Sequence, residues 1–118
     1  VKPGEALIAA GETTVTLLGH GAGGRNQEVA LGAISRVPED ALVLSCASDG
    51  IDNSPIAGAI ADAVVRDAAA RKKMDPAAYL STNDTLAFFA KAGGQIKTGK
   101  TGMNVSDLML ALRAPEHL

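Results

Sequence analysis

Arg25 closes a glycine-rich stretch, Gly19-His20-Gly21-Ala22-Gly23-Gly24, and is followed by Asn26, Gln27 and Glu28. Its guanidinium is permanently charged and forked, which suits a carboxylate or a phosphate. Four glycines in six residues let the backbone pass close to another group. A helix opening just after them offers unpaired N–H groups and the positive end of its dipole to an anion. The alternative is a tight strand-to-helix turn with a surface arginine. Asp49 and Asp52, in the loop Ser48–Ser54, suit a divalent cation or a hydroxyl to be positioned, or plain Asx turns. Asn83 and Asp84 fit a helix cap or a ligand contact. Thr101 and Asn104 belong to a polar loop, Thr98–Asp107.

Gly94-Gln95-Ile96-Lys97-Thr98-Gly99-Lys100-Thr101 spells the phosphate-loop pattern GxxxxGK[ST]. That motif works only where a strand feeds the first glycine and a helix opens at the lysine. Here a helix ends at the first glycine and the variable residues read as a strand, so the match is spelling alone. His20 has no serine, cysteine or second histidine at catalytic spacing, and no Cys/His cluster with metal-ligand spacing exists.

The elements that must position these residues follow from periodicity. Ala6–Ala10 and Thr13–Leu18 read as strands joined by Gly11-Glu12, hence a hairpin. Arg25 to Arg36 is helical, stopped by Pro38. Ala41–Cys46 is continuously apolar and suits a strand buried on both faces. Ala57, Ile60, Ala61, Val64, Val65 and Ala68 mark a second helix. Asp75-Pro76 starts a short helix, and Asn83 or Asp84 caps another, ended by Gly93-Gly94. Gln95-Ile96-Lys97 is a brief strand, and Leu108–Leu112 is a strand or a helix. The expected fold is α/β, a three-layer-like sandwich with a mixed β-sheet flanked by helices.

With 118 residues the chain is one domain and buries roughly two-thirds of its unfolded surface. The net charge of −2 is mixed along the sequence, and the aromatics are only Tyr79, Phe88 and Phe89. No nucleic-acid surface is therefore expected. No apolar run approaches a membrane span and no signal pattern opens the chain. Cys46 is the sole cysteine, flanked by apolar residues, which predicts a buried thiol and fits a reducing, cytoplasmic location. Val1-Lys2-Pro3 lacks an initiator methionine, so a piece of a longer polypeptide is expected. In α/β sheets ligands sit where loops converge beyond strand ends, so Gly19–Glu28, Ser48–Ser54, Ser81–Asp84 and Thr98–Asp107 are expected on one rim.

Five blocks in order carry a family resemblance: Gly11-Glu12-Thr13-Thr14-Val15; Gly23-Gly24-Arg25-Asn26-Gln27-Glu28; Ser48-Asp49-Gly50-Ile51-Asp52; Asn83-Asp84 with Phe88-Phe89; and Thr98-Gly99, Thr101-Gly102, Asn104-Val105 and Asp107-Leu108. Together they resemble the MOFRL domain, the C-terminal domain of class II glycerate kinases, some of which are called hydroxypyruvate reductases. The resemblance covers about residues 5 to 113. It implies transfer of the γ-phosphoryl of ATP, with Mg²⁺, to the 2-hydroxyl of D-glycerate. It also implies an active site in a cleft shared with a larger N-terminal Rossmann-like domain, so the 118 residues form the C-terminal part of a two-domain enzyme and are inactive alone. Arg25 matches the arginine that faces this cleft and is the expected catalytic residue. Asn26, Asp49, Asn83, Asp84, Thr101 and Asn104 match positions expected to bind substrate or nucleotide, and no metal ligand is assigned. Asn53-Ser54-Pro55 departs from relatives that carry a further aspartate there, Thr82 replaces a common asparagine, and Lys100 a common proline. The alternatives are a reductase domain and a non-catalytic module that closes over its partner.

Overall fold

The structure is a computed structural model that describes residues 1–15, 17 and 19–116. Its elements run β1 (Ala6–Gly11), α1 (Arg25–Ala33), β2 (Ala41–Ala47), β3 (Gly58–Asp62), α2 (Ala63–Arg71), α3 (Pro76–Ser81), α4 (Thr85–Ala92), β4 (Gln95–Ile96) and β5 (Asp107–Arg113). The strands form one sheet in the order β1-β5-β2-β3-β4, every pair antiparallel.

The α/β class holds, with two corrections to the expected sandwich. The sheet is antiparallel throughout rather than mixed, because β5 inserts between β1 and β2 and antiparallel to both. The core lies on one face only, where Ala59 and Ala61 of β3 meet Leu31 and Ile34 of α1, Val65 of α2, and Phe88 and Phe89 of α4. Two layers result instead of three.

Alternation sets which residues point inward. Val43 and Ser45 of β2 pair across the ladder with Ala61 and Ala59, and with Ala111 and Met109 of β5. The small side chains of Ser45, Ala59 and Ala61 let α1 lie close to the sheet. Tyr79 packs onto this core through Phe88, and Phe88 onto Phe89, with ring centroids 5.5 and 5.1 Å apart in edge-on contacts.

Several local expectations change. Among the described residues no hairpin joins β1 to a second strand: Thr13, Thr14 and Val15 are irregular, and Thr16 and Leu18 lie outside the described residues. The apolar stripe from Ala57 to Ala68 is not one helix. Gly58–Asp62 is a strand and only Ala63 onward is helical, because alanines at 57, 59 and 61 satisfy period two as well as period 3.6. Asp62 caps that helix, accepting from the Val65 amide at 2.9 Å. Residues 107–113, open to either reading, form the strand β5. Cys46 is half-buried, since its side of the sheet has no helical cover. Arg66 donates to the carbonyls of Ile34 and Val37 at 3.2 and 2.5 Å and pairs with Glu39 at 2.8 Å. It thereby satisfies carbonyls where α1 runs out, which a cation at the negative end of a helix does well.

Candidate functional site

Helix α1 starts without a cap of its own, for Gly24 has no side chain to give one. The carboxylate of Asp52 fills that role from across the chain. One oxygen accepts the Asn26 amide at 3.0 Å and Asn26 Nδ2 at 3.1 Å, and the other accepts the Gln27 amide at 2.9 Å and Gln27 Nε2 at 3.1 Å. Asp52 is 1% exposed. A Cβ on Gly24 would overlap the Asp52 backbone carbonyl, so glycine is required for this approach. The anion expected at this helix terminus is therefore internal, and the amides do not await a ligand.

Arg25 is held by a second carboxylate. Its Nε donates to Asp107 Oδ2 at 2.5 Å and its Nη2 to Asp107 Oδ1 at 2.9 Å, a two-pronged pair with a residue that is 1% exposed. Burial by itself raises the Asp107 pKa. Hydrogen bonds from Arg25 and Asn26 and the charge of Arg25 outweigh it and hold the carboxyl below the ordinary range. The hydrogen bond to Asp107 raises Arg25 in turn. The remaining nitrogen, Nη1, has Glu12 at 3.8 Å, and the Arg25 side chain stays 35% exposed.

Arg25 lies on the wall of a groove of about 390 Å³, lined also by Thr13, Thr14, Gly23, Glu28, Asn53 and Asn83. Asn83, at positive φ, accepts from the Gly19 amide at 3.0 Å and donates to Glu28 Oε1 at 2.8 Å. Gly21 donates to the Thr82 carbonyl at 2.9 Å, and Asn53 Nδ2 to the Gly23 carbonyl at 3.1 Å. The glycine-rich loop is thus pinned from both sides.

The fourth loop joins through Ser48. Thr101 Oγ1 donates to the Ser48 carbonyl at 2.5 Å, Val105 donates its amide to Ser48 Oγ at 2.8 Å, and the Thr101 amide reaches the Asp49 carbonyl at 3.3 Å. All four loops therefore meet, as a chain of contacts rather than a ring around one cavity. Arg25, Asn83 and the glycine-rich loop line the groove. Asp84 opens α4 without a side-chain cap bond and packs against Gly21. Asp49, Thr101 and Asn104 are grouped at the other end, where Asp49 accepts from the Ile51 amide at 3.0 Å and Asn104 from the Ser106 amide at 3.4 Å.

Asn26 needs a correction: it is 1% exposed and wedged between Asp52 and the Ser45 hydroxyl, which donates to Asn26 Oδ1 at 2.6 Å. Its side chain is turned to these internal partners and is not among those that line the groove. Of the two acids in the Ser48–Ser54 loop, Asp52 is not free to bind a cation. Asp52 has both oxygens occupied by N–H donors, and among the described residues no group of three or more His, Cys, Asp or Glu is placed to hold a metal ion. The phosphate-loop spelling fails as expected, since β4 occupies its middle and β5 is the next regular element after Lys100. Among the described residues, no helix is long and apolar enough to cross a membrane.

The MOFRL family model matches residues 5–107. The chain belongs to the MOFRL family. This MOFRL domain is 39% identical over 115 residues to a D-glycerate 2-kinase of Thermotoga maritima, covering 95% of the chain and 28% of that protein. It is 42% identical over 110 residues to a glycerate 2-kinase of Picrophilus torridus, covering 90% of the chain and 25% of that protein. The crystal structure of a Thermotoga maritima glycerate kinase superposes on it with a TM-score of 0.88 at 39% identity, covering 92% of this chain and 27% of the other. The domain thus spans about a quarter of the length of these relatives.

Sequence reasoning placed Asp107 in a family motif without giving it a task, and left Asp52 between ligand and turn former. The usable signal for Asp107 was its position. It is an acid opening an apolar strand, in the parity of Met109 and Ala111, which face the helices.

Proposed function

We propose that this MOFRL domain forms one wall of the active site of a D-glycerate 2-kinase, presenting Arg25 to an anionic group of the substrate. The observation that carries this reading is the Arg25–Asp107 pair. A buried carboxylate fixes Nε and Nη2 and leaves the Nη1 edge of a half-exposed guanidinium at a glycine-walled groove. The names of the relatives supply the reaction.

In such a transfer the substrate hydroxyl attacks the γ-phosphoryl of ATP, so the enzyme needs no nucleophile and contributes position and charge. Arg25 suits the carboxylate of D-glycerate, or the phosphoryl oxygens as they gain charge. Glu28 and Asn83 orient the groove wall through their mutual hydrogen bond. Asp49, Asp84, Thr101 and Asn104 remain candidates for contacts along the rest of the rim. Among the described residues no cluster of three or more His, Cys, Asp or Glu could hold Mg²⁺ by itself, so we assign the rest of its ligands, like the nucleotide fold, to residues outside these 118, in the expected N-terminal Rossmann-like domain. The 118 residues alone are accordingly expected to show no kinase activity, and the compartment expected is the cytoplasm. The names of the relatives do not favour the reductase alternative.

The test is steady-state kinetics of the full-length protein with D-glycerate and ATP, with ³¹P spectra to identify the 2-phosphorylated product. Arg25→Ala should lower kcat/KM by about 100-fold or more, the scale of a lost charge-assisted contact, with Arg25→Lys recovering only part. Unchanged kcat and KM would instead leave the domain a non-catalytic cover. Turnover of hydroxypyruvate with NADH and none of glycerate with ATP would return the reductase reading.

A further inference from the structure

The sheet has a second face, and among the described residues no helix covers it. Register places Ile8, Leu110, Leu44 and Ile60 in one row across four strands, on the side opposite the helices. Leu108 and Leu112 flank that row at 38% and 37% exposure, and Ile8 is 72% exposed. An antiparallel sheet with one face in water ordinarily alternates apolar and polar residues. Here both parities of β2 and β5 are apolar, as in Ala41-Leu42-Val43-Leu44-Ser45-Cys46 and Leu108-Met109-Leu110-Ala111-Leu112. A sequence written for a strand buried on both sides has one side bare.

We propose that this face is covered, in the full-length protein, by a layer of the same polypeptide lying outside these 118 residues. Two observations choose that occupant. The matched relatives are about four times as long as the matched stretch, so ample chain exists to supply a layer. The edge strand β1 is apolar and exposed on both sides, with Leu7 60% exposed on the helical side, beyond the helices. A second copy stacked face to face would cover Ile8 and leave Leu7 bare. A segment that runs around the edge of the sheet covers both and also shields an unpaired strand edge, which otherwise invites aggregation. The inference does not depend on the kinase reading, because it concerns the face away from the groove.

The test is native-state thiol labelling of the full-length protein, resolved by peptide mass spectrometry. Cys46 lies on this face and reports without any substitution. Ile8→Cys reports on the most exposed position of the row, and Asp67→Cys on the outer surface of α2 serves as the open control. The expected result is a monomer in which Cys46 and Ile8→Cys react at least about tenfold more slowly than Asp67→Cys, at every protein concentration. Rates within about threefold of the control would overturn the proposal, as would protection found only in a dimer, which would give the face to a second copy.

Discussion

Asp52→Asn tests whether a buried carboxylate, rather than a bound ligand, organises the start of α1. The wild-type carboxylate accepts four N–H groups, two on each oxygen, at 2.9 to 3.1 Å. Asparagine keeps one oxygen and turns an NH₂ toward two donors, leaving a buried amide and a side-chain amide without acceptors. Two charge-assisted bonds at about 1.5 kcal/mol each, plus a weakened interaction with the helix dipole, give about 3 kcal/mol. That corresponds to roughly a hundredfold in the opening equilibrium of the helix, at 1.4 kcal/mol per tenfold. Hydrogen exchange in the full-length protein reads it locally, on peptides spanning residues 25–33. Protection there should fall by about two orders of magnitude while peptides of α2, on the other flank of the core, change far less. Protection unchanged within about threefold would refute the reasoning and return the amides of Asn26 and Gln27 to the list of ligand donors.

Three further outcomes follow from the same geometry. Asp107→Asn should destabilise the protein at neutral pH by about 1–2 kcal/mol, less than a fully buried pair because Arg25 is partly solvated. Asp107 binds its proton less readily folded than unfolded, so its contribution is fully present above the ordinary 3.8 and is lost as pH falls through the lower folded value. The stability gap between wild type and variant, followed by urea unfolding, should therefore close in acid. Gly24→Ala puts a methyl onto the Asp52 carbonyl, and because backbone must give way it should cost about 2 kcal/mol or more, seen as a lowered midpoint in thermal melts. Lys100→Ala should leave the KM for ATP within about twofold, since no helix opens there to make a phosphate cradle; a tenfold rise would reinstate the motif.

What could be read from the sequence was what depends on local chemistry. The helix at Arg25, the strand at Ala41 (though not its expected burial on both faces), the proline-led turn of helix at Pro76 and the stop at Gly93 all follow from caps, breakers and period. Gly58–Asp62 went astray because alanine-rich stretches satisfy both periods, and only pairing with β2 decides between them. Thr13–Val15 carries strand formers yet stays irregular, and β1 finds its neighbour in β5 instead. In the site, the convergence of four loops was visible in composition. Asn26 looked like a ligand contact and is instead a brace, since its type and position are the same for either task and only burial separates them. Partners 82 residues apart, Arg25 and Asp107, leave no local trace of their pairing.

The placement of β5 has an outcome for how the molecule comes into being. Of these strands it is synthesised last, yet it occupies the second position in the sheet, between β1 and β2. Until residue 107 has left the ribosome, β1 has no neighbour to zip onto and the guanidinium of Arg25 lacks its buried counter-ion. Closing so long a loop is slow relative to hairpin formation. The sheet and the anion-facing arginine are therefore completed in one late step, and a polypeptide cut short just before Asp107 should lose both together.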